Sequence, residues 1–145
     1  MTSLEETLWQ KVVLTVITRR AGSSAADATA VAAAARRAYG DLATALAPLI
    51  GQAGVEALIG RALHLAALEY PTDHAGEEKE AAEAFGQVSL WLERQDPSAA
   101  TDAAAAMFAR FAALLAELIG YPLTTRYLRE AWPDGFADKS EGKKA

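Results

Sequence analysis

The apolar residues of this chain recur at steps of three and four, the spacing that puts side chains on one face of a helix. Leu4, Leu8, Val12 and Val16 form the first such stripe. Val31, Ala35, Tyr39, Leu42 and Leu46 form a second, and Val55, Leu58, Ile59, Ala62, Leu63 and Ala66 a third. A fourth holds Ala81, Phe85, Val88, Trp91 and Leu92. The cleanest is Met107, Phe108, Phe111, Leu114, Leu115, Leu118 and Ile119; a short last one carries Leu123, Tyr127, Leu128 and Trp132. Strand-like alternation is nearly absent. The single β-rich run, 12–18, sits inside the first stripe.

Punctuation agrees with the stripes. Ser3 and Glu6 have the spacing of a capping box, and Gly22 stops the first helix. Ser23 or Ser24 is the expected cap of the second, with Asp27 in its first turn. Pro48 should bend or end that helix, because proline lacks an N–H and clashes with the preceding turn. Gly51 and Gly54 then link it to a third helix, which Pro71 closes. Asp96-Pro97 is a helix start, Gly120 a stop, and Pro133-Asp134-Gly135 the end of the ordered chain. The pattern predicts an all-α domain over 1–133, a single compact bundle or orthogonal array of about five to six helices. A mobile, polar tail is expected over 134–145.

Alanine, the best helix former, dominates the composition. Gly40, Gly60 and Gly86 lie within predicted helices, where glycine costs about 1 kcal/mol against alanine. Close approach of helix axes is the expected reason to keep them, with Gly40 beside Asp41 as the candidate for a hidden break.

At 145 residues the chain suffices for one domain with a real core. It contains no Cys, which removes disulfides, thiolate metal sites and thiol nucleophiles. The net charge of −5 argues against nucleic acid as the main partner, because phosphate binding draws on a basic excess. The acidic start, Glu5 and Glu6, does not read as a signal peptide, and the alanine runs are interrupted by charges such as Arg36, Arg37, Asp102 and Arg110. A soluble chain of a bacterial-type cytoplasm, without membrane insertion, is the expectation.

No residues carry a recognised chemistry. His64 and His74 are the two histidines, and neither has metal-ligand spacing or the surroundings of a phosphate-accepting histidine. Asp73, His74, Glu77 and Glu78 could meet a divalent cation, but acids before a helix ordinarily serve its dipole. Phosphate-loop, dinucleotide and nucleophile-elbow motifs are missing. The sequence therefore yields no catalytic residues, no metal ligands and no cofactor. The leading expectation is a non-catalytic helical interaction module, an adaptor, regulator or complex subunit with a protein partner or as a homodimer. One alternative is a small-molecule or lipid-binding domain with an apolar pocket between helices. A second is a small enzyme or phosphotransfer protein using His64. Candidate ligand or partner contacts are His64, Arg126 and Arg129, with Phe108, Phe111, Tyr127 and Trp132 as pocket walls. The acid-rich run Glu77–Glu83 is a further candidate, as a docking face for a basic partner.

Overall fold

The computed structural model describes residues 3–22, 27–72 and 84–136. Among them are five helices and no strand: α1 (Ser3–Ala21), α2 (Ala28–Glu69), α3 (Ala84–Glu93), α4 (Pro97–Ile119) and α5 (Tyr121–Ala131). A 3-10 turn, Pro133–Gly135, follows α5. The all-α expectation is met.

The predicted second and third helices form one element. α2 runs through Pro48 and bends at Gly51, whose φ of 80° and ψ of 158° lie outside the helical region. Only glycine adopts that backbone cheaply. Both predicted stripes of α2 face the core: Val31, Ala35, Leu42 and Leu46 before the bend, Val55, Ile59, Ala62 and Ala66 after it. The N-cap is Asp27, not Ser23 or Ser24; its carboxylate accepts from the Thr29 N–H at 3.0 Å. The serines lie outside the described residues, as do Asp73, His74 and Glu77–Glu83.

α4 is the central helix. Residues 103–109 are all buried, and seven consecutive residues complete nearly two turns, so the helix is covered on every side there. Its alanines, Ala100, Ala103, Ala104, Ala105, Ala106, Ala109 and Ala112, let α1 and α2 pack closely against it. Asp96 and Pro97 start it, and Gly120 ends it with φ 93°, its N–H donating to the Ala116 carbonyl. That single residue separates α4 from α5.

The small residues that permit this packing are alanines, not Gly40 or Gly60. A Cβ placed on Gly40 or Gly60 would meet nothing within 4 Å, and Gly40 is ordinary helix rather than a break. The close approach occurs at Gly135, where an added Cβ would lie 2.8 Å from methyls of both Val12 and Val16. The 3-10 turn thus locks onto α1. Phe136 packs against the core as well. The tail from 137 lies outside the described residues.

α1 buries a different face from the one expected. Trp9, Val13, Val16 and Ile17 point inward, whereas Leu8 is exposed. In the run 12–17 every position but Thr15 is apolar, so its periodicity chooses a face only weakly; the large Trp9, stacked on Tyr121 at 5.2 Å, marks the buried one.

Candidate functional site

Phe108 and Trp132, expected as pocket walls, belong to an aromatic spine that ties α2, α3 and α4 to the residue capping α5. Tyr39 of α2 stacks on Phe85 of α3 with centroids 4.6 Å apart, Phe85 on Phe108 of α4 at 6.3 Å, and Phe108 meets Trp132 edge-on at 5.4 Å. The Trp132 indole N–H then donates to the Ala38 carbonyl of α2 at 2.9 Å. That bond satisfies a buried donor that would otherwise cost about 1–3 kcal/mol. Phe111 is likewise buried, and Tyr127 is half-buried. His64 and Arg126 are exposed on separate helices, and Arg129 lies over the Phe136 ring at 4.9 Å. The structure joins Phe108 to Trp132 but does not gather the predicted residues at one opening.

The opening is elsewhere. An open depression of about 600 Å³ is lined by Arg20, Asp41, Thr44, Ala45, Glu130, Ala131 and Pro133, where the end of α1, the middle of α2 and the end of α5 meet. Arg20 donates to the Asp41 carboxylate at 2.7 Å, and Arg37 donates to the Arg20 carbonyl at 2.9 Å, covering one of the carbonyls left bare at the end of α1. The Thr44 hydroxyl donates to the Gly40 carbonyl at 2.9 Å.

Asp41, Thr44, Ala45, Pro48 and Leu49 succeed one another at helical spacings and so share one face of α2. Their ridge leaves the depression and runs about 12 Å toward the bend, at 1.5 Å per residue. Its far end is apolar and uncovered: Pro48 is exposed, and Leu49 is 42% exposed. No charged residue lies between Asp41 and Glu56, and within 42–55 only Leu42, Leu46 and Val55 are buried. An 18-residue stretch of α2 reaches a mean hydropathy of 1.5 with only 22% of it buried, and by length and composition α2 could cross a membrane.

The depression unites residues 21 and about 90 positions apart, so no local motif announces it; the charge-free run 42–55 is its one signal in the sequence. Among the described residues no group of three or more His, Asp or Glu side chains is placed to hold a metal ion. No family model, curated protein or solved structure matches the chain.

Proposed function

We propose that this chain is a non-catalytic protein–protein interaction module that works through the exposed face of α2 around its bend. The observation that carries the reading is the charge-free stretch 42–55, which exposes Pro48, Leu49 and Ala53 while Leu42, Leu46 and Val55 anchor it in the core. Apposing a partner on Pro48, Leu49 and Ala53 would bury apolar area and no ionised side chain of this stretch. Trp9, Trp91 and Trp132 are all buried and so contribute no contact surface. Of the aromatic side chains considered for an apolar ligand, Phe108 and Trp132 pack on each other and Phe111 is buried in the core.

The test is site-specific photo-crosslinking in living cells. A photoreactive residue at Leu49 should yield a discrete adduct, whereas the same residue at exposed His64 on the same helix should not. An adduct of twice the 15.3 kDa chain mass would indicate self-association; another mass, a separate partner. Absence of any adduct at Leu49, with the variant folded, would overturn the reading.

A further inference from the structure

We draw no further inference here: the strongest candidate, the apolar surface at the junction of α4 and α5 where Leu118 and Pro122 are exposed, is an unpartnered face, and nothing in the structure shows what covers it.

Discussion

α4 and the middle of α2 are both alanine-rich, yet one is the centre of the molecule and the other lies at its surface. Residues 103–109 are buried without exception, whereas in 42–55 three residues are buried. Alanine does not decide between these fates, since its one methyl contributes little whichever way it faces, about 0.8 kcal/mol per buried carbon. The neighbours decide. In α4, Met107, Phe108, Phe111 and Leu115 lie within one arc of about 100°, and Ala105, Ala106 and Ala109 on the other side are buried as well, because α1 and α2 both pack on the helix. In α2, Leu42 and Leu46 mark one face only, and the bend at Gly51 turns the chain before the opposite face is covered.

The widest separation between the two regions should appear on truncating their large side chains. Phe108→Ala removes the ring that joins Phe85 to Trp132, and should cost about 3–5 kcal/mol of unfolding free energy in urea titrations. Leu49→Ala, on the exposed ridge, should cost about 0.5 kcal/mol or less. Comparable losses at the two positions would mean that Leu49 belongs to the core and that the docking face has been misplaced.

Enlarging the alanines probes the same contrast in the other direction. Ala104→Leu forces three carbons into a site with no accessible surface, and should destabilise by about 1–3 kcal/mol. Ala53→Leu, on the exposed side just past the bend, should change stability by about 0.5 kcal/mol at most in either direction. Thermal melts of the pair, at one protein concentration, would show whether alanine in α4 is a packing requirement or merely a helix former.

This ambiguity of alanine also sets how much could be read from sequence. Where large residues stood in phase, as in Val31, Leu42 and Leu46 or Met107, Phe108 and Phe111, the buried face was legible. Where a chain-breaking residue was unambiguous, as at Pro71, Pro97 or Gly120, so was the helix end. The face of α1 was not, because 12–17 is apolar except at Thr15 and Leu8 and Trp9 compete as its continuation. The glycines misled for a related reason: alanine already permits close packing, so Gly40 and Gly60 were not needed for it. The candidate site was hidden more deeply. Arg20, Asp41 and Glu130 come from three helices, and each looks like ordinary surface charge until the fold brings them together.

α2 and α4 meet again at the end of α2, and there the comparison can be sharpened by pH. The Tyr70 carbonyl accepts from both the Trp91 indole and the Gln95 amide, at 2.9 and 3.0 Å, tying α2 to the α3 segment. Its phenol is held above the usual 10.0, first by burial and then by the carboxylates of Asp102 in α4 and Glu69. A raised phenol favours the protonated form in the folded state. Its contribution is therefore complete below about pH 10 and is lost as pH climbs from there through the folded-state value. Tyr70→Phe keeps the carbonyl and removes the titration. Urea midpoints of the wild type should fall more steeply than those of Tyr70→Phe above about pH 10, while the difference between the two stays constant below about pH 9. Asp102→Asn should shift the wild type part of the way toward the variant, since it leaves burial in place and removes one of the two repelling charges. Parallel alkaline slopes for the wild type and Tyr70→Phe would show that the phenol ionises as freely folded as unfolded, and that the end of α2 is as open to water as its bend.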